Sequence, residues 1–174
     1  MKSLAAITSA ATMIFICAYL VFRWGWLLAA AISFGTTAYH FVMRLAVGYF
    51  LPKITNYDFD YQHPWFRPRS WEKAFYQKLR LRRWKGKLPT YAPGQFSLEE
   101  NSLHRIIQNM CGAEVVHEII MLLSFLPVFT IPLFGEPVVF WTTSVCAALF
   151  DSLFVMAQRY NRPRLVRLFQ RKSK

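Results

Sequence analysis

Apolar residues dominate four stretches of the chain, from about Leu4 to Phe22, Trp24 to Leu51, Ala113 to Phe134 and Val138 to Ala157. Each is close to the ~20 residues that a helix needs to cross the hydrocarbon core of a bilayer. A helix pairs its own backbone groups in lipid, so the pattern predicts four transmembrane helices. Arg23, Trp24 and Gly25 would close the first two into a hairpin, and Gly135, Glu136 and Pro137 the last two. The first stretch also resembles a secretory signal, with Lys2 ahead of an apolar run. Arg23 and Trp24 follow it without a small-residue cleavage site, however, and a second span starts at once, so a retained anchor is expected. Pro127 and Pro132 remove backbone donors inside the third stretch, which predicts a kink or an early end there.

Residues 52–112 carry most of the polar sequence between the two hairpins. From Trp71 to Lys85 the spacing is helical: Trp71, Phe75 and Leu79 form one apolar stripe, with Lys73, Arg80, Arg83 and Lys87 off it. Tyr, Trp and basic residues suit the head-group zone, so this reads as an interfacial amphipathic helix. Gly86 to Gly94, with Pro89 and Pro93, reads as a loop. Ser97-Leu-Glu-Glu100 matches a capping box, predicting a short helix that starts at Ser97 and runs through Leu103, Ile106, Ile107 and Met110. His104 on that helix reads as a surface residue. The linker Lys53–Arg69, with Pro64 and Pro68, is aromatic and irregular. The expected fold is therefore an all-α membrane protein: one integral domain over 1–174, two transmembrane hairpins, a cytoplasmic interfacial segment between them and a basic tail over 158–174.

Composition agrees with this picture. Of 174 residues 55% are hydrophobic and 17% charged, too apolar for an ordinary soluble domain. The net charge of +12 is concentrated: eleven Lys or Arg lie between Pro52 and Gly112 and seven from Arg159 onward, with only Lys2, Arg23 and Arg44 elsewhere. Basic segments flanking apolar spans point to anionic lipid head groups rather than nucleic acid. The positive-inside rule then predicts that the middle segment and both termini are cytoplasmic. Cys17, Cys111 and Cys146 form no CxxC pair, so no metal or redox site is expected, and Cys17 and Cys146 read as packing residues.

Ionisable residues within the spans are the candidate chemistry, because each costs at least ~2.5–3.5 kcal/mol at the centre of a membrane helix. His40 and Arg44 share a face of the second span. Glu114, His117 and Glu118 cluster at the start of the third, and Asp151 lies in the fourth. At the helical rise, Arg44 is about 12 Å and His40 about 18 Å inside Pro52, and Asp151 about 12 Å inside Arg159. All fall in the cytoplasmic half of the bilayer, where one pocket can collect them. A His hydrogen-bonded to a carboxylate is a general base, with Glu114 or Glu118 placed to orient His117, and Arg44 can neutralise a carboxylate or an oxyanion. A pairing of Arg44 with Asp151 or Glu114 that merely locks the bundle fits the same pattern. The chain has no GxSxG elbow, P-loop or dinucleotide glycine pattern, and the second His of an HExxH zinc site is missing after His117-Glu118. Direct attack by an acceptor hydroxyl on an activated acyl group, with His117 taking the proton, suits such a set. Arg80, Arg82, Arg83 and Lys85 are candidates for holding the phosphates of a donor or a lipid; plain membrane adhesion explains them as well.

Four segments resemble the glycosyl-4,4'-diaponeurosporenoate acyltransferase family, bacterial membrane enzymes of staphyloxanthin-type carotenoid synthesis. They are Gln158-Arg-Tyr-Asn-Arg-Pro-Arg-Leu165, Trp71-Glu-Lys-Ala-Phe-Tyr76 leading to Arg83-Trp-Lys-Gly-Lys87, Ala113-Glu-Val-Val-His117, and Tyr39-His-Phe-Val-Met-Arg44. The resemblance covers roughly residues 70–170. It implies transfer of a fatty acyl chain, from an acyl thioester such as acyl-CoA or an acyl-carrier protein, to a sugar hydroxyl of a glycolipid-like acceptor at the bacterial inner membrane. No tightly bound cofactor is implied. By position it points to Glu114 and His117 for catalysis and to Arg159, Asn161, Arg162 and Arg164 near the donor. Pro163 would interrupt the helix and set Asn161 and Arg162 at a turn where the last span leaves the membrane. The competing readings are a non-enzymatic lipid-binding or scaffold protein, and another small membrane enzyme with a cytosolic cofactor.

Overall fold

A computed structural model describes residues 1–56, 58–89 and 92–172. Tyr57 in the linker, Thr90 and Tyr91 in the loop, and Ser173 and Lys174 in the tail lie outside the described residues. The chain is helical, in the order α1 (Lys2–Phe22), α2 (Gly25–Thr55), α3 (Glu72–Lys78), α4 (Leu81–Trp84), α5 (Leu103–Leu123), α6 (Ile131–Phe134) and α7 (Pro137–Lys172). Among the described residues, four stretches are long and apolar enough to cross a membrane: α1, α2, Leu103–Phe134 and α7. The chain divides into two compact units, Met1–Phe50 with Ile119–Phe150, and Leu51–Glu118 with Asp151–Lys174.

The first unit has the inside-out pattern of a membrane bundle. Ile7, Met13, Ile14, Val21, Phe129, Leu133 and Val138 are exposed, whereas Thr8, Thr36, Ser124 and Ser144 are buried. Small residues let transmembrane helices approach closely. Thr12 comes so near Gly35 that a Cβ there would stand 3.3 Å from its methyl group. The buried hydroxyls of Thr8, Thr36 and Ser124 each donate to the carbonyl four residues earlier at 2.8 Å, which satisfies them without a partner helix. Phe15 stacks on Phe34 at 5.3 Å between centroids and meets Trp26 edge-on at 6.5 Å, joining α1 to α2. Arg23 ends α1 in the left-handed conformation, its N–H donating to the Tyr19 carbonyl at 2.8 Å. At the other tip Gly135 and Glu136 both have positive φ, and Pro137 starts α7 where no N–H is needed. The expected early end of the third stretch is present: α5 stops at Leu123, and Pro127 sits in a 3-10 turn over Leu126–Thr130 ahead of α6.

In the second unit three expectations are corrected. The segment 71–85 is not one helix but two, because Arg80 adopts φ +50 between α3 and α4. The Trp84 indole N–H caps the Leu79 carbonyl at 2.9 Å, and the break turns Leu81 fully inward. The stripe Trp71, Phe75 and Leu79 remains exposed, as an interfacial face requires, while Glu72 and Tyr76 form the buried face. Ser97 does not start a helix. Its Oγ accepts from Glu99 N in a local turn, and the helix begins at Leu103 with Ser102 Oγ accepting from Arg105 N, each at 3.2 Å. The short helix and the third span are therefore one rod. Finally, Pro163 does not interrupt α7, which runs through it to Lys172. The missing N–H costs one bond, but the turns on both sides are anchored within this unit, by Arg159 and Arg162 before the proline and by Phe169 against Tyr61 and His104 after it.

Candidate active site

α5 and α7 carry the polar residues of the second unit on matching turns. His117 Nδ1 lies 2.8 Å from Asp151 Oδ1, and Asp151 is 1% exposed against 23% for the His117 side chain. Asp151 and Phe154, three apart on α7, address the same imidazole: the ring stacks on Phe154 at 4.5 Å with 8° between planes. An ionised carboxylate only accepts, so against one the proton in this bond belongs to Nδ1, and a neutral ring would then offer Nε2 as its acceptor. The orienting carboxylate is thus Asp151. Glu114 and Glu118, the neighbours that spacing along α5 offered for that task, are engaged elsewhere.

Glu114 is fully buried between two guanidinium groups. Arg159 Nη1 donates to its Oε1 at 2.6 Å, and Arg162 Nη1 donates to its Oε2. Arg159 also grips Glu72 Oε1 through Nε at 2.9 Å and Nη2 at 2.6 Å. The remaining donors go to three successive backbone carbonyls. Arg159 Nη1 reaches Trp65 O at 3.0 Å, Arg162 Nη2 reaches Phe66 O at 2.6 Å, and Arg159 Nη2 reaches Arg67 O at 3.1 Å. All five N–H groups of Arg159 are used. Arg162, 2% exposed, also lies over the Phe66 ring at 4.9 Å. Two carboxylates and two guanidiniums balance, which is how a charged network tolerates burial. Its effect is to pin the turn 64–67 against α7. Trp65 is thereby set beside α5, and its indole N–H donates to Glu118 Oε2 at 2.9 Å.

A second group is cationic. Lys85 Nζ donates to Asn161 Oδ1 and sits 4.8 Å from the centroid of the Tyr160 ring. Arg164 lies over the same ring at 4.4 Å and donates to the Tyr160 hydroxyl at 2.8 Å. Burial, then the charges of Arg164 and Arg82, hold the Lys85 ammonium below the usual lysine range. No carboxylate bonds Lys85, Arg82 or Arg164 among the described residues. Arg80, Arg82 and Arg83 are exposed beside them. Tyr76, edge-on to Tyr160 at 6.0 Å, is pushed up to about 12 by burial and by the Glu72 charge, so it stays protonated.

His40 and Arg44 belong to the first unit. His40 is buried with its ring edge-on to Tyr39, and Arg44 donates to the Ala147 carbonyl at 3.3 Å and lies 5.9 Å from the Phe150 ring centroid. A cavity of about 290 Å³ in the second unit opens between Tyr61, Gln62, Arg67 and, on α7, Pro163, Val166 and Gln170. His117 and Asp151 do not line it, so it is not the space in which their chemistry would occur.

Sequence reasoning passed over Trp65, Glu72, Phe154 and Tyr160. Glu72 had a usable signal, since it lies four residues before Tyr76 on the face next to the Trp71 stripe. Trp65 had none, because it is placed by an arginine 94 residues away.

Residues 62–171 match the family described as glycosyl-4,4'-diaponeurosporenoate acyltransferase. No curated protein and no solved structure matches closely enough to add to that finding.

Proposed function

Because the chain belongs to the glycosyl-4,4'-diaponeurosporenoate acyltransferase family, and is thus a membrane acyltransferase, we propose that it moves a fatty acyl chain from an acyl thioester to a sugar hydroxyl of a glycolipid-like acceptor, with His117 as general base. The observation that carries this is the His117–Asp151 pair, a half-exposed imidazole whose Nδ1 is committed to a buried carboxylate. In the proposed step His117 Nε2 accepts the acceptor hydroxyl proton as its oxygen attacks the thioester carbonyl. The tetrahedral intermediate collapses by breaking the C–S bond, and the imidazolium returns the proton to the departing thiolate. Asp151 stabilises the imidazolium and fixes the tautomer. No covalent enzyme intermediate is required.

The donor's phosphates, where it carries them, are assigned to Lys85, Arg82 and Arg164, with Arg80 and Arg83 adding long-range attraction and Asn161 orienting Lys85. Three clustered cations that no carboxylate bonds among the described residues favour an incoming anion. Arg159, Arg162, Glu114 and Glu72 are assigned to the frame, since their bonding groups are largely spent on one another and on the turn 64–67. Glu118 holds Trp65. His40 and Arg44, in the first unit, are given no part in this step. The reaction is placed at the cytoplasmic leaflet of a bacterial inner membrane, with both termini cytoplasmic, on the distribution of Lys and Arg.

The test is acyl transfer by the purified protein in nanodiscs, from labelled acyl-CoA or acyl-carrier protein to an alkyl glucoside. His117→Ala is expected to lower kcat by about 100-fold to 10,000-fold with its melting temperature retained. Full turnover in His117→Ala would remove the assigned base. Unchanged binding of lipid with no turnover in the wild type would instead favour a scaffold.

A further inference from the structure

We propose that Trp65 is the platform on which the acceptor's sugar stacks, and so determines that the enzyme acylates glycosides rather than simple alcohols. The proposal rests on the acyltransferase reading above. Trp65 combines two properties that rarely coincide. It is 53% exposed, yet it is fixed at three points. Its backbone N–H donates to His63 Nδ1 at 3.2 Å, its carbonyl accepts from Arg159 Nη1 at 3.0 Å, and its indole N–H donates to Glu118 Oε2 at 2.9 Å. A tryptophan that merely anchors a protein in the head-group zone keeps its N–H for water or lipid at the polar edge. Here the N–H is taken up by a carboxylate of α5, which leaves the ring faces to meet a ligand.

The position of that surface is what assigns it a ligand. Glu118 directly follows His117 on α5, so the group that holds the indole is one residue from the group assigned as base, about 1.5 Å of rise and about 100° of turn away. A pyranose has one face of C–H groups and a rim of hydroxyls. The C–H face packs on the negative face of an indole, which leaves the hydroxyls at the edge free to reach a base. The bond to Glu118 holds the ring in one orientation. A hydrocarbon aglycone gains nothing comparable over the lipid it leaves. The frame of Arg159 and Arg162 acquires a purpose on this account: clamping the carbonyls of Trp65, Phe66 and Arg67 keeps the platform at a constant height over α5.

The experiment compares dodecyl glucoside with dodecanol as acceptors for the full chain in nanodiscs, and measures glucoside binding separately through indole fluorescence. Trp65→Ala is expected to lower the glucoside-to-alcohol ratio of kcat/KM by about tenfold, the worth of one aromatic contact, and Trp65→Phe to recover most of it. The wild type should show a glucoside-dependent fluorescence change that Trp65→Phe lacks. An unchanged acceptor ratio in Trp65→Ala, or equal losses for both acceptors, would overturn the platform. A fluorescence change that Trp65→Phe retains would overturn it too. If the wild type binds glucoside through Trp65 but transfers no acyl group, the platform stands and the acyltransfer reading falls.

Discussion

The imidazole of His117 gains its character from two residues on one turn of α7, and that arrangement makes opposite demands on substitutions at each. Asp151→Asn keeps the volume but offers an amide whose N–H can donate to Nδ1. The ring then holds its proton on Nε2, the wrong nitrogen for a base. A fall in kcat of at least about 100-fold is expected, with KM for the acceptor little changed. Phe154→Leu removes only the stacking, so a smaller loss is expected from the same assay. Lys85 supplies a pH test. Its ammonium is held below the ordinary lysine range by burial and by Arg164 and Arg82, so in the free protein it loses its charge at lower pH than an exposed lysine. The sign for stability follows: the depressed folded value makes the charged form unfavourable in the folded state, and this penalty is relieved as pH rises through that value. A bound anion reverses the cause. Adding CoA should move the Lys85 titration upward, read as amine labelling against pH. An unmoved titration would place the donor's phosphates elsewhere.

Among the elements, the turn 64–67 is held by guanidiniums more than by packing, since Trp65 is exposed and only Phe66 of the 3-10 turn is buried. Arg159→Lys retains the charge but offers three donors from one point in place of five in a fork. The carbonyls of Trp65 and Arg67 then lose their partner together with Glu72 or Glu114. The turn should open, and trypsin should cut after Arg69 several-fold faster than in the wild type, Arg67 being protected by Pro68. Glu114→Ala tests the network from the other side. It leaves Arg162 buried and unpaired, a loss of about 3–5 kcal/mol that the melting curve would register. Element boundaries also show where local rules stop. Ser97 and Ser102 each have what a helix start needs, and the choice of Ser102 depends on residues that lie far off in sequence. Asn109 bonds the Gln95 carbonyl and Gln108 takes the Phe59 N–H, each at 2.7 Å, which ties the preceding segments to α5. Pro163 was legible as a helix breaker by its own chemistry, yet α7 passes through it because Arg159, Arg162 and Phe169 hold both flanks.

At the level of the whole molecule, what could be read from the chain was what local composition carries. Four apolar runs of spanning length and two basic segments are properties of adjacent residues, so the spans and the all-helical class emerge from them directly. His117 and Asp151 were both legible as candidates, but their pairing was not: spacing along α5 offered Glu114 or Glu118 to His117, and the partner is 34 residues away on α7. The engagement of Glu114 by Arg159 and Arg162 needed a link across more than 40 residues, and that of Glu72 by Arg159 one of 87. No periodicity in the sequence encodes such a link. The same charge distribution makes a topological prediction. Lys and Arg concentrate in 52–112 and after Arg159, whereas the hairpin tips carry Arg23 alone. Retention of Lys and Arg on the cytoplasmic side is an effect of short loops near span ends, and both tips are short enough to obey it. Two single substitutions at exposed positions, Ser70→Cys in the middle segment and Glu136→Cys at the second tip, therefore separate the alternatives. They are made on a background in which Cys17, Cys111 and Cys146 are replaced by Ala. A membrane-impermeant maleimide applied to intact cells should label Glu136→Cys and spare Ser70→Cys until the membrane is opened. The opposite pattern would put Lys85, Arg82 and Arg164 outside the cell, away from any cytosolic thioester. A donor already dissolved in the membrane would then be the only source of acyl chain consistent with the fold.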